Sequence, residues 1–256
     1  MSEVMGNGSI TDVEYIDLGA GSFAIEGLLA LRSRVAGTRA KVLVFVAAGL
    51  HTGFDLAEVC DAATNADITV ARLFADCLLS IREADAITIA SVNGKVTAGS
   101  VGLIAACDIV IADPDAIFQL PEVAIGMIPA LITPILARRI GERRCHYLAL
   151  SSRPISAHEA HSIGLVDEAA DLRLDRCVER QVRRILRSSP AALAECKRHI
   201  KEGEQQRIRI ELEVAIVRLS NWLSKPGAIE AIAAFAVEPG GVVATPAEDH
   251  HAPNHD

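Results

Sequence analysis

A layered α/β domain passing into an all-helical C-terminal third is the fold class that this 256-residue chain predicts. Three observations carry it. Lys41 to Ala48, KVLVFVAA, is a continuous run rich in β-branched residues, the pattern of a strand buried on both faces of a sheet, and Ile87 to Val92 is a second such run. Between them, Ile68 to Glu83 has the spacing of an amphipathic helix. From Arg176 to Val237 nearly everything is patterned as helix, with Gly203 and Pro226-Gly227 as the breaks.

Taken in order, Val13 to Leu18 alternates apolar and polar residues like a strand and is turned by Gly19 to Gly21. Ile25 to Val35 has helical spacing, with Arg32 and Arg34 on the wet side. The strand from Lys41 runs into Gly49 to Leu56, GLHTGFDL, read as a loop at the carboxyl end of a strand, where α/β proteins tend to place ligands. Asp55 stands where it can cap the helix that follows. The second buried strand ends at the turn dipeptide Asn93-Gly94, and the small-residue block Ser100 to Cys107 is of helical length. That turn feeds a helix N-terminus at Gly99. Without a Cβ there, a ligand oxygen can approach the backbone N–H in the field of the unpaired first-turn amides, which makes an oxyanion site. Two short strands then lead to Pro121-Glu122.

Past Glu122, Gly126, Pro129 and Pro134 break the apolar stretch Val123 to Ile135 into a loop. Helical patterning resumes from Pro134 to Leu150 and again after Ser156, where Ser156 and Glu159 have the spacing of a capping box. Pro190, after Ser189, sits at a first helical position. The chain divides as an α/β core over 1–189, a helical region over 190–247 and a solvated tail over 248–256.

Composition narrows the function. Half of the residues are hydrophobic and 4% aromatic, too few aromatics for a base-stacking nucleic-acid surface, and the net charge of −8 argues against a phosphate-backbone binder. No apolar run is long enough to span a membrane, and MSEVMGNGSI lacks the basic and apolar regions of a secretory signal, so a cytoplasmic protein is expected. The six cysteines have no C-x-x-C pairing and read as buried thiols, with no metal site expected.

GFDL at Gly53 to Leu56, NGKVTAG at Asn93 to Gly99, CDIVIAD at Cys107 to Asp113, F-x-x-PE at Phe118 to Glu122 and G-x-I-P at Gly126 to Pro129 occur in that order. So do R-R-I-G at Arg138 to Gly141 and G-L-V-D-E ending in Glu168. Together, over roughly Lys41 to Lys201, they resemble the crotonase (enoyl-CoA hydratase/isomerase) superfamily. IPALITP, RRIG followed by His146-Tyr147, and RPIS are most similar to two of its branches: the 3-hydroxy-3-methylglutaryl-carrier-protein dehydratases of polyketide β-branching cassettes, and bacterial methylglutaconyl-CoA hydratases. The resemblance implies a spiral of ββα units, a helical trimerisation region, and a homotrimer or hexamer. It also implies acyl-CoA or acyl carrier protein as partner, with no cofactor beyond the coenzyme A or phosphopantetheine arm of the substrate.

By motif position, the resemblance puts the two oxyanion-hole amides on Phe54 and Gly99 and the catalytic carboxylate on Glu122, with Gly53, Asp55, Thr97 and Ala98 beside the substrate. Lys95 is a candidate partner for the distal carboxylate of a glutaryl-type acyl group, or a solvated turn lysine. Two-carboxylate hydratases of the family carry a second glutamate where this chain has Gly102. The R-P-x-x-x-N-A segment that helps hold the cofactor nucleotide is absent, which a carrier-protein thioester does not need. The reading is therefore a lyase that dehydrates a 3-hydroxy-3-methylglutaryl-type thioester. A one-glutamate double-bond isomerase and a thioester-binding subunit without catalysis are the alternatives. Outside this set, His51 is a loop histidine without an assigned role, and His146 and Tyr147 read as packing residues. Lys197 and Arg198 read either as phosphate contacts or as a basic surface stripe. Arg138, Arg139, Arg143 and Arg144 read either as a cluster that steers an acidic carrier or as subunit contacts.

Overall fold

The computed structural model describes residues 12–65, 67–171 and 173–237, so the tail over 248–256 lies outside the described residues. The chain opens with β1 (Val13–Asp17) and β2 (Gly21–Phe23), then α1 (Ile25–Gly37), β3 (Val42–Phe54), α2 (Leu56–Thr64), α3 (Thr69–Glu83), β4 (Ile87–Thr97), α4 (Gly99–Ala106), β5 (Ile109–Ala112) and β6 (Ile117–Gln119). A 3-10 turn, Glu122–Ile125, leads into α5 (Thr133–Ile140), α6 (Glu142–Ser151), β7 (Ile155–Ser156), α7 (Ala157–Ser162), β8 (Glu168–Ala169), α8 (Leu174–Leu186), α9 (Pro190–Leu223) and α10 (Ala228–Val237). Among the described residues no helix is long and apolar enough to cross a membrane.

The sheet runs β1-β3-β4-β5-β8 with every pairing on that path parallel; β2 joins β3, and β6 joins the far end of β4 and pairs antiparallel with β7. Residues of β3 show why its sequence is apolar throughout. Leu43, Phe45 and Ala47 pack into the large core with α1, α3 and α4, whereas Val42 and Val44 pack on the other face against Cys177, Val178 and Val182 of α8. A strand covered on both faces has no polar side to display.

Three expectations fail, all at glycines. GLHTGF is strand rather than loop, because β3 continues to Phe54, and Asn93-Gly94 lies inside β4 rather than at a turn. Gly49 and Gly94 are register partners with φ of +95° and +96°, and a Cβ on Gly94 would stand 2.3 Å from the Gly49 carbonyl oxygen. These glycines serve a close backbone approach, which a turn dipeptide mimics in sequence. Likewise α9 runs unbroken through Gly203 for 34 residues. A glycine inside a helix costs about 1 kcal/mol, and both flanks are anchored. On the amino side, Lys197 reaches Ala86 O and Asp108, each at 2.7 Å, and Lys201 reaches Arg82 O at 2.8 Å and the other Asp108 oxygen. On the carboxyl side, Ile208, Leu212, Ile216, Leu219 and Leu223 are buried in the main core.

Lys197 is therefore an internal ion-pair residue and not a surface phosphate contact, and Arg198 pairs with Glu195. Local signals for the helix ends hold. Ser189 accepts from Ala192 N ahead of Pro190. Ser156 accepts from Glu159 N, but the Glu159 carboxylate pairs with Arg153 instead of closing the box. Cys77, Cys107, Cys145 and Cys177 are buried, as expected, while Cys60 is half-buried and Cys196 is exposed.

Candidate active site

The carboxyl ends of β3 and β4 meet at a cavity of about 400 Å³. Phe54 ends β3 beside it. The next amide, that of Asp55, donates to Phe23 O at 3.1 Å, so the Phe54 amide points to the opposite side of the extended strand, away from β2. On β4, Ala98 adopts φ 51° and ψ −132°, a conformation that costs an alanine about 1–3 kcal/mol. Its amide donates to Gln119 O at 3.0 Å and its carbonyl accepts from Val101 N at 2.9 Å, which hold it there. This turn makes Gly99 the first residue of α4, and its amide has no acceptor among the described residues, as befits a first-turn donor.

The two strand ends are locked to each other. The Phe54 and Phe74 rings lie 4.4 Å apart at 48°, and Phe74 also underlies Gly99, where an added Cβ would meet its ring at 3.1 Å. Gly53, at φ +96°, packs directly on the Gly99 backbone.

Glu122 borders the same cavity, at the start of the 3-10 turn, and is 5% exposed. Its Oε2 has no hydrogen-bond partner among the described residues. Burial raises its pKa to about 7, against the opposing pull of its own backbone amide. A carboxyl poised near neutrality can both take and return a proton. The segment that presents it is pinned from behind: Met127 N donates to Glu122 O at 2.8 Å and Trp222 Nε1 of α9 donates to Gly126 O at 2.8 Å. Gly126, at φ +80°, leaves room for Ala231 of α10, which a Cβ would meet at 2.8 Å.

The remaining expectations divide. Thr97 borders the cavity with its hydroxyl donating to His51 O at 3.2 Å, and Ala98 borders it as well. Asp55 borders it while capping α2, accepting from Ala57 N at 2.9 Å and Glu58 N at 3.2 Å. Gly53 lies beneath the wall and does not line it. Lys95 is corrected: it sits mid-strand between Leu50 and Ile117 and is not part of the cavity wall. His51 is a buried strand residue, bonded to Ala48 O at 3.2 Å, with its pKa lowered by burial. His146 and Tyr147 are exposed, and Arg153 stacks over the Tyr147 ring at 5.4 Å.

Arg138 is engaged by Glu211, and Arg139 by Asp167 and the Leu165 and Cys107 carbonyls, so only Arg143 and Arg144 of that group are exposed. Glu168, Asp171 and Cys177 come together in a way that resembles a metal site, yet the Arg180 guanidinium binds both Glu168 and Cys177.

Gly102 faces Ile132, whose Cγ2 would lie 2.4 Å from an added Cβ. Both the apolar wall formed by Ile125, Met127, Ile128, Leu131 and Ile132 and its closing residue, Leu219 of α9, went unassigned from sequence. The first five were legible only as an apolar loop, and Leu219 carries no local signal because it arrives from a distant helix.

Known proteins resemble this chain in sequence and in overall fold. A model of the enoyl-CoA hydratase/isomerase family matches residues 40–236. The chain is 37% identical to the bacillaene synthase dehydratase PksH of Bacillus subtilis over 131 residues, 51% of this chain and 50% of that one. It is 32% identical to the 2,3-dehydroadipyl-CoA hydratase of Escherichia coli over 120 residues, 46% and 47% respectively. The chain thus spans about half the length of these curated relatives. The crystal structure of the polyketide-biosynthesis enoyl-CoA hydratase pksH of Bacillus subtilis superposes with a TM-score of 0.77 at 24% identity, over 88% of this chain and 94% of that one. An enoyl-CoA hydratase of Bacillus halodurans superposes at 0.81 and 22% identity, over 90% and 98%. These neighbours share the crotonase fold, and the family match spans the strand ends, the turn carrying Glu122 and the helices that brace it: the chain belongs to the enoyl-CoA hydratase/isomerase family.

Proposed function

We propose that this protein is an acyl-thioester dehydratase or hydratase in which Glu122 is the single acid/base. The observation that carries the reading is a buried carboxyl with an unpartnered oxygen in a cavity that Phe54 and Gly99 also border. In the dehydrating direction the Glu122 carboxylate takes the proton from C2 of a 3-hydroxyacyl thioester. The electron pair moves onto the thioester oxygen, where the Phe54 and Gly99 amides stabilise it, each donor being worth about 10²–10³ in rate. The C3–O bond then breaks, a C2=C3 double bond forms, and Glu122 returns the proton to the departing hydroxyl, which leaves as water. One carboxyl serves both steps when the proton and the hydroxyl lie on the same face, so the elimination is syn.

The finer form of this reading is a branched 3-hydroxy-3-methylacyl group carried by acyl carrier protein or coenzyme A, supported by the sequence likeness to a polyketide dehydratase; its glutaryl form is the sequence expectation, which the two carboxyl groups bordering the cavity oppose. Self-association through α9, as a trimer or hexamer, is part of the same proposal, supported by exposed Ile210, Val214 and Val217. Sedimentation that yields a monomer at micromolar concentration would remove that part.

The test of the reaction is incubation with 3-hydroxyacyl pantetheine thioesters followed by mass spectrometry. Loss of one water, abolished in Glu122→Gln, is the expected result. A shifted double bond at constant mass would favour the isomerase instead, and binding without any change would leave a non-catalytic thioester binder.

A further inference from the structure

Among the described residues, Glu122 and Asp55 are the charged side chains that line the cavity, and both are carboxylates. The stretch of wall formed by Ile125 and Met127 to Ile132 is apolar apart from its backbone. Lys95, the one cation that the sequence offered to this site, stands outside the wall. Nearby Arg138 on α5 faces a separate groove, where Glu211 holds it at 2.8 and 2.9 Å. Phe54, Met127 and Leu219 also line a second, smaller and mostly apolar space of about 30 Å³, whose other walls include Val70 and Ile216, with Asp67 at its border. These three residues therefore lie between the cavity and a mostly apolar neighbouring space.

We infer that the acyl group taken here is uncharged, with its far end lodged against Met127 and Leu219. This rests on the thioester reading of the cavity and departs from the glutaryl-type substrate expected from sequence. A terminal carboxylate would enter a mostly apolar cavity already bordered by two carboxyl groups, giving up hydration with no counter-ion among the described residues of the wall. An alkyl terminus in the same place is released from water. Met127 is unbranched and able to adapt, and Leu219 comes from α9, so the long C-terminal helix helps set the depth of the acyl site.

The test uses the pantetheine thioesters of 3-hydroxy-3-methylbutanoate and 3-hydroxy-3-methylglutarate, which share the branched carbinol and differ by the terminal carboxylate. Alongside kcat/KM, calorimetry gives Kd for the unreactive thioether analogue of each. The uncharged member is expected to be favoured by about 10–100-fold in both measurements, the range for burying a polar group without a partner. Equal or better values for the glutaryl member would overturn the inference. If neither thioester reacts, the lyase reading falls, and the Kd ratio still decides the charge preference. Leu219→Ala, with Met127→Ala as a second variant should the first not fold, joins the two chambers. It should raise kcat/KM, or lower Kd for the thioether analogues, for 3-hydroxyoctanoyl relative to 3-hydroxybutanoyl ligands by about tenfold or more; an unchanged ratio in a folded variant would overturn the placement of the acyl terminus.

Discussion

A Cβ placed on Gly53 would stand 2.6 Å from the backbone nitrogen of Gly99 and 2.9 Å from its Cα. The two glycines come from separate strand ends, and their contact sets the distance between the amides of Phe54 and Gly99. Glycine at 53 is required twice, by that approach and by its φ of +96°. Gly53→Ala is expected to cost roughly 1–3 kcal/mol of stability and, on the proposed mechanism, to lower kcat at least 10²-fold by moving one of the two proposed oxyanion donors. Gly27→Ala, a helical position with open space around it, is the control and should leave melting temperature and turnover nearly unchanged. Equal behaviour of the two variants would remove the pairing argument.

Glu122 predicts a pH profile with two opposite signs. Its folded pKa of about 7 lies above the ordinary 4.5. Activity that needs the carboxylate should climb as pH rises through about 7 and level off beyond it. Stability runs the other way. Below the unfolded value both states are protonated and the fold bears no cost; between 4.5 and about 7 only the unfolded chain ionises, so stability falls as pH rises. The full loss is about 3 kcal/mol. Glu122→Gln should therefore melt higher than the parent above neutral pH and equally at pH 4, while losing at least 10²-fold in turnover. A variant that keeps more than about a tenth of the activity would contradict the acid/base role.

Gly102 and Ile132 are coupled by packing. An alanine at 102 would put its Cβ 2.4 Å from Ile132 Cγ2 and 2.9 Å from Ile132 Cβ, so Gly102→Ala should destabilise by about 1–3 kcal/mol. Ile132→Ala, which opens a space at a side chain 2% exposed, should cost about 2–5 kcal/mol. Urea denaturation of the double variant is the deciding measurement: its loss should be smaller than the sum of the two, because each change fills or vacates the same volume. Strict additivity would mean that the side chains do not compete for space.

Asp108 neutralises two ammonium groups at once. Lys197 and Lys201 have side chains 8% and 11% exposed, and both converge on it from α9, while Thr88 donates to it through N and Oγ1 at 2.9 Å. Asp108→Ala leaves two buried cations without their counter-charge and should cost about 3–5 kcal/mol. Thermal melting checks this, and a loss within 1 kcal/mol would place the lysines in solvent.

The residues that a local pattern can specify were legible in the chain. The both-faces burial of β3 is written in KVLVFVAA, the caps of α2 and α9 in Asp55 and Ser189-Pro190, and the nearness of Phe54, Gly99 and Glu122 to one cavity in three motifs whose order resembles a known family. Glycine was the ambiguous letter. At Gly49, Gly53, Gly94 and Gly203 the same residue meant close approach or an uninterrupted helix, where a turn or a break was the local reading, because a missing Cβ is permissive in every one of these settings and only the neighbour decides among them. Tertiary structure alone decided four further points: that Lys95 stands outside the cavity wall, that Lys197 is buried against Asp108, that Ile132 fills the space beside Gly102, and that Leu219 of α9 lines the cavity. Each depends on which distant element arrives at a given face, and side-chain burial, charge pairing and cavity shape are properties of that meeting rather than of either segment.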